Sequence, residues 1–98
     1  MPEPRFEWDP KKAAANLEKH GVAFSDAITA FSDETGLVLD DPDHSTDEAR
    51  FVLLGLSADL RMLVVVHCLR DSGKVIRLIS ARPASRRERA QYNERNTP

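Results

Sequence analysis

Residues 62–92 read MLVVVHCLRDSGKVIRLISARPASRRERAQY. Two runs rich in Val, Ile and Leu, Met62–Leu69 and Lys74–Arg82, flank the turn residues 70–73. Runs of this composition on either side of a short polar segment with glycine predict a β-hairpin. Met62–Val66 is the longest apolar run of the chain, and we expect it to form a central strand.

A basic helix is predicted directly after the hairpin. Ser85 and Glu88 have the spacing of a capping box, in which each side chain bonds the backbone N–H of the other. We expect this helix to begin near Ser85 and to end at about Glu94, with residues from about 93 to 98 frayed.

The residues before the hairpin supply a second set of elements. Asp9 and Pro10 suit the cap and first position of a helix, and Gly21 suits its left-handed end. The other segments are a short strand at Arg5–Trp8, a helix capped by Ser25 that ends near Phe31, and strands at Thr35–Leu39 and Glu48–Leu56. The acidic stretch Asp40–Asp47 lacks the glycine and final glutamate of an EF-hand, which favours a solvated loop.

This order of elements predicts one α+β domain over residues 1–98. We expect a mostly antiparallel sheet of about four to five strands, with two N-terminal helices and one C-terminal helix. A content of 41% hydrophobic and 31% charged residues is that of a globular protein, not a disordered one. No apolar run could span a bilayer, the first residues lack a signal-peptide pattern, and Cys68 is the single cysteine; together these features favour the cytoplasm.

The charge is unevenly distributed along the chain. Residues 1–69 carry 6 Lys/Arg and 13 Asp/Glu, a net charge of −7, whereas residues 70–98 carry 8 and 3, a net charge of +5. A basic C-terminal third on an acidic protein indicates a focused anion-binding surface. Pairing of the basic helix with acidic loops of the same chain explains the charge pattern equally well.

The residue pattern excludes several kinds of site. The chain has no cysteine pair, its three histidines fall on different predicted segments, and its four glycines form no phosphate loop, so we expect no metal and no cofactor. Arginines, His67 and Tyr92 remain as candidates. Strict alternation along the last strand would place Arg77 and Arg82 on opposite faces.

RNA hydrolysis is one reaction that such residues could support. The 2′-OH of RNA can attack the adjacent phosphate, so the protein need only align it, move protons and stabilise negative charge. Arginines in a partly dry groove stabilise such charge well. His67 could move protons, and Tyr92 could stack on a base or donate a hydrogen bond. The simpler interpretation of His67 is a buried histidine that is hydrogen-bonded to the backbone. The simpler interpretation of Arg86, Arg87 and Arg89 is that they lie on a solvated helix face or at a partner interface.

The sequence resembles the BrnT family of type II toxins. The segments that carry this resemblance are FEWDP, KKAAAN, LEKHGVAFSDA, EARFVLLG, LVVVHCLR and IRLISARPASRRERAQY, which together extend from about Phe6 to Tyr92. The resemblance implies a RelE-like fold and a metal-independent endoribonuclease that cleaves mRNA, on or off the ribosome, and arrests translation. It also implies a BrnA-like antitoxin whose ribbon-helix-helix part binds DNA.

Our site hypothesis combines the resemblance with the arginine chemistry. It places His67, Arg70, Arg77 and Arg82 near the scissile phosphate, with Tyr92 assisting. Further RNA contacts are expected along the chain at Lys12, Lys19, His20, Arg86, Arg87 and Arg89. The hypothesis requires Arg77 and Arg82 to border an open groove rather than to be tied up in internal ion pairs. The alternative is a non-catalytic module whose basic helix docks on nucleic acid or on an acidic protein.

Overall fold

The computed structural model describes residues 4–41 and 49–97. In chain order its elements are β1 Arg5–Glu7, α1 Pro10–His20, α2 Phe24–Ala27, a 3₁₀ helix Ile28–Ser32, β2 Leu37–Asp40, β3 Arg50–Leu56, β4 Met62–Arg70, β5 Val75–Pro83 and α3 Arg86–Arg95. The predicted acidic loop falls mainly on residues 42–48, outside the described residues.

The five strands form one sheet in the order β1-β5-β4-β3-β2. All neighbours are antiparallel except β1 and β5, which pair in parallel through Arg5 to Glu7 and Val75 to Arg77. The hairpin of β4 and β5 is confirmed, and β4, which contains the run Met62–Val66, is the central strand. The predicted α+β class with a mostly antiparallel sheet is therefore correct.

A β-bulge in β5 changes which arginines share a face. Val66 pairs with Ser80 but His67 pairs with Leu78, so Ile79 is an extra residue without a partner on β4. Cys68 and Val64 point to the same side of β4, and they pair with Arg77 and Arg82. Both arginines therefore lie on one face. The predicted alternation was wrong because it assumed a regular strand through Ile79.

The two faces of the sheet are covered differently. The helical face carries Leu63, Val65 and Leu78, which pack with buried residues of α2 and the 3₁₀ helix. The opposite face, called the arginine face from here on, contacts α3 through a smaller cluster of Leu54, Val64 and Tyr92. Because α3 covers only that end, the far end of the arginine face is left for charged side chains.

The second N-terminal helix begins two residues earlier than predicted and has no side-chain cap. Ala23, not Ser25, is the N-cap, and its carbonyl accepts from the N–H groups of Asp26 and Ala27. The earlier start buries Phe24, whose ring meets Trp8 edge-on at 5.9 Å between centroids. The helix then tightens to 3₁₀ geometry, which brings Ala27 and Ala30 into line three residues apart, both fully buried.

The other helix ends follow the sequence signals. Asp9 caps α1, Gly21 ends it with a φ of 70°, and Ser85 and Glu88 form the predicted capping box of α3. However, α3 continues to Arg95, beyond the point where fraying was predicted. Arg95 Nη1 donates to the Gly36 carbonyl at 3.1 Å, which ties the last turn to the residues before β2.

A buried amide joins α1 to the sheet. Asn16 is 7% exposed; its Nδ2 donates to the carbonyls of Val22 and Ala81 at 2.9 and 2.8 Å, and its Oδ1 accepts from Ala81 N at 3.0 Å. β1 ends opposite Arg77, so Ala81 has no partner from β1. The side chain of Asn16 supplies the donor and acceptor that a longer β1 would have supplied.

We expect Asn16→Ala to lower the free energy of unfolding by about 3 kcal/mol, because it leaves three buried backbone groups of Val22 and Ala81 without partners. Urea denaturation measures this change. Asn93→Ala, at an exposed position of α3, is the matched control and should change stability by less than about 0.5 kcal/mol. Equal effects of the two substitutions would contradict the role given to Asn16.

Candidate functional site

Besides Arg82, four arginines lie on the arginine face, on strands β1, β3, β4 and β5. One row across the sheet contains Glu7, Arg77, Cys68 and Arg50, which are paired strand by strand. The next row contains Arg5, Val75 and Arg70. Neighbouring strands are about 4.8 Å apart, so the guanidinium groups can converge on a shared anion.

Glu7 is the acid that pairs with two arginines of this face, Arg70 and Arg77. Its Oε1 lies 3.2 Å from Arg77 Nη1 and 3.9 Å from Arg70 Nε. The side chain of Arg77 is 28% exposed and that of Glu7 is 43% exposed, so this cluster is open to solvent. Two guanidinium groups directed at one carboxylate oxygen form a geometry that also suits a phosphate oxygen.

Arg82 lies on the same face but forms a different ion pair, with Glu88 and not with Glu7. Cys68 and Val64, which pair with Arg77 and Arg82, are four residues apart, so the two arginines are separated by about 13 Å along the sheet. Arg82 Nη1 and Nη2 donate to Glu88 Oε1 and Oε2, both at 2.8 Å. This fork binds the first turn of α3 to β5.

The ion pair changes the titration of Glu88. The hydrogen bond from Arg82, helped by the backbone N–H of Ser85, outweighs desolvation and lowers the pKa of Glu88 to about 2. Glu88 therefore stays ionised at neutral pH and holds both Arg82 and the helix start. The requirement that Arg77 and Arg82 avoid internal ion pairs is not met, although Arg77 pairs on an open surface.

His67 lies on the opposite side of the sheet from these arginines. Its ring meets Phe31 edge-on at 4.9 Å between centroids, and its Nδ1 lies 3.1 Å from the Val65 carbonyl. The side chain is buried, and burial lowers its pKa. A neutral histidine in an aromatic cluster stabilises the helical face, which agrees with the simpler interpretation of this residue.

Tyr92 connects α3 to the chain before β2. Its hydroxyl donates to Asp33 Oδ2 at 2.7 Å and lies 2.7 Å from Thr35 Oγ1. The Thr35 hydrogen bond favours ionisation, but burial and the neighbouring Asp33 carboxylate outweigh it and raise the pKa of Tyr92. Tyr92 packs on Leu54 and Val64, at the end of the arginine face remote from Glu7.

The remaining basic candidates form two separate groups. Lys12 and Lys19 are exposed and His20 is half-buried on α1, which packs against β5 on the helical side. Arg86, Arg87 and Arg89 are exposed on α3, on the side of the arginine face. The structure thus brings together Arg70 and Arg77 among the predicted catalytic residues, and places the other three elsewhere.

Sequence reasoning missed Arg5, Glu7 and Arg50. Alternation of Phe6 and Trp8 inward places Glu7 outward, but the sequence gives no sign that β1 pairs with β5 in parallel. Arg50 shares a face with Val52 and Leu54 by strand alternation, a signal that was available but not used. Among residues 4–41 and 49–97, no group of three His, Cys, Asp or Glu side chains could hold a metal ion.

Comparison with known proteins assigns the family. Residues 8–88 match the family model described as the ribonuclease toxin, BrnT, of a type II toxin-antitoxin system. The chain belongs to the BrnT family. The crystal structure of the Brucella abortus ribonuclease toxin BrnT matches with a TM-score of 0.62 at 25% identity, over 85% of this chain and 99% of that chain. No curated protein matches.

Membership of the BrnT family confirms the resemblance predicted from the sequence. The matched segment contains Arg70, Arg77 and Arg82 and ends at Glu88, before Tyr92. None of the helices in the described part of the chain is long and apolar enough to cross a membrane.

We expect acid to weaken this BrnT protein partly through Glu88. The folded-state pKa lies below the ordinary value of 4.5, so its stabilisation is complete above pH 4.5 and is lost as pH falls to about 2. Solvent screening reduces this contribution to about 1–2 kcal/mol. Urea denaturation near neutral pH and at about pH 2.5 should show a smaller loss for Glu88→Gln than for wild type. An equal loss would exclude Glu88 as a source of acid sensitivity.

Tyr92→Phe separates an anchoring role from a catalytic one. Losing the hydroxyl removes the bonds to Asp33 and Thr35 and should cost about 1–2 kcal/mol of stability. The rate of RNA cleavage should stay within about threefold of wild type under conditions where the variant is folded. A folded variant with a rate lowered more than about tenfold would instead assign Tyr92 to catalysis.

Proposed function

We propose that this protein is an endoribonuclease toxin that cleaves mRNA without a metal ion and thereby arrests translation. Its family supplies the ribonuclease class and the toxin-antitoxin context. The observation that supports the chemistry is the convergence of Arg70 and Arg77 on one solvent-exposed carboxylate oxygen. An RNA phosphate presents anionic oxygens of the same kind to the same donors.

The proposed reaction uses the 2′-OH of the substrate as nucleophile. Attack on the adjacent phosphate forms a phosphorane, whose extra negative charge is stabilised by Arg70 and Arg77. Arginine suits this role because its planar fork stays charged and can bond two oxygens at once. Fixing these side chains on a rigid sheet avoids the cost of reorganising them during the reaction.

The other predicted site residues take supporting roles in this proposal. Arg82 holds α3 through Glu88, His67 fills the helical face, and Tyr92 anchors α3 to Asp33. The exposed arginines of α3 extend the positive surface beyond the scissile phosphate, where they would bind the RNA backbone. Lys12, Lys19 and His20 would form a second basic edge on the helical side.

A type II toxin acts together with an antitoxin, and we propose a BrnA-like partner with a ribbon-helix-helix DNA-binding part. We place the reaction in the cytoplasm, where mRNA is translated. We propose the ribosome as a second binding surface for the RNA substrate, and cleavage with and without ribosomes distinguishes the two modes.

The decisive test is cleavage of mRNA by purified protein in the presence of EDTA, with and without ribosomes. We expect cleavage that stops when the substrate carries 2′-deoxy residues, because the nucleophile is then missing. Arg77→Ala should lower the rate by about 100-fold or more, since it removes charge stabilisation in the transition state. Lys11→Ala, at an exposed position on α1, should cleave at the wild-type rate.

Intact RNA bound in a salt-dependent manner would contradict the ribonuclease proposal and favour the non-catalytic binding module. Growth-arrest assays with the same variants test the toxin role in cells. Full toxicity of the His67→Ala, Arg77→Ala and Arg82→Ala variants would rule out the predicted catalytic set.

A further inference from the structure

We infer that Glu7 is the general base of the reaction, the group that removes the proton from the attacking 2′-OH. This inference rests on the proposed ribonuclease function and adds a residue that sequence reasoning did not select. It follows from the position of one carboxylate between two arginines on an open part of the sheet.

The two oxygens of Glu7 have different surroundings. Oε1 faces Arg77 Nη1 at 3.2 Å and Arg70 Nε at 3.9 Å, whereas no donor from residues 4–41 or 49–97 bonds Oε2. Arg77 thus fixes the direction of the carboxylate and leaves its second oxygen available to accept a proton. Glu7 also lines a shallow cavity of about 150 Å³ together with Arg5, Phe6 and Val75, which gives a substrate group access to it.

Three other candidate bases, Glu88, Asp33 and His67, are occupied or badly placed. Both oxygens of Glu88 bond Arg82, and Oε1 also accepts from Ser85 N. Asp33 accepts from Leu56 N, Thr35 and Tyr92, so both of its oxygens are engaged. His67 is buried on the helical face.

The proton and electron balance of the step is simple. The Glu7 carboxylate takes the 2′-OH proton, the 2′-oxygen forms a bond to phosphorus, and the bond from phosphorus to the 5′-oxygen breaks. The departing 5′-oxygen takes a proton from water. The products are a 2′,3′-cyclic phosphate and a 5′-OH end, and the proton on Glu7 then returns to solvent.

The arginines link the two charge changes of this step. Before attack, Arg70 and Arg77 balance the negative carboxylate. As Glu7 becomes neutral, the phosphorane gains negative charge within reach of the same guanidinium groups. Stabilisation is therefore transferred from the base to the transition state at the moment of reaction, which is the differential binding that raises a rate.

Glu7→Gln tests the inference because it removes the base and keeps the shape. The substrate is a pool of random single-stranded RNA, and binding is measured with the 2′-O-methyl form of the pool, which has no nucleophile. We expect single-turnover cleavage to fall by about 100-fold or more, while binding stays equal or becomes tighter, because one negative charge leaves the arginine cluster. Glu7→Asp should restore part of the rate.

Glu34→Gln is the matched control, since Glu34 is exposed and forms no ion pair within the described residues. It should cleave at the wild-type rate. If Glu7 were only a counter-ion, Glu7→Gln would remove the carboxylate that Arg77 pairs with and would cleave as fast as wild type or faster, which would overturn the inference alone. Wild-type protein that leaves RNA intact would overturn the proposed function together with it.

Discussion

The architecture depends on the buried amide of Asn16, which bonds the backbone of Ala81 on β5 and the carbonyl of Val22. The contact is needed because β1 is only three residues long and leaves the outer edge of β5 without a strand beyond Arg77. A helix side chain completes the hydrogen bonding of that edge. It also fixes the distance between α1 and the sheet, so the apolar core between them has a defined thickness.

The same edge of β5 determines the position of the charged groups. A bulge at Ile79 moves one side chain out of alternation, and this brings Arg77 and Arg82 to one face of the sheet. The face then divides into two parts with different tasks. Near α3, the fork between Arg82 and Glu88 fixes a helix; near β1, Arg70 and Arg77 meet the exposed Glu7. Arginine and glutamate pairs therefore stabilise the fold at the α3 end of this face and form the proposed anion-binding site at the β1 end.

Much of the fold could be predicted from the sequence because the local signals were strong. The apolar run Met62–Val66, the Asp9-Pro10 start and the Ser85–Glu88 capping box depend on neighbours in the chain, and all three were confirmed. The site was harder to predict from the sequence than the fold, because it depends on contacts between residues that are far apart in the chain. The parallel pairing of β1 with β5 and the bulge at Ile79 leave no local signature, so Glu7 was missed and the arginines of β5 were assigned to opposite faces. The family could be recognised because its matching residues are spread over positions 8–88. Recognising it does not depend on the pairing of β1 with β5 or on the bulge at Ile79.

The parallel pairing of β1 with β5 also affects how the chain matures during synthesis. Glu7 is made well before Arg77, its partner across the sheet, which is translated 70 residues later. Until β5 has left the ribosome exit tunnel, the nascent chain carries Glu7 without the guanidinium group of Arg77. The pair of Glu7 and Arg77 can thus form only after β5 has been made, which delays the completion of the charged surface until β1 and β5 can join in one sheet.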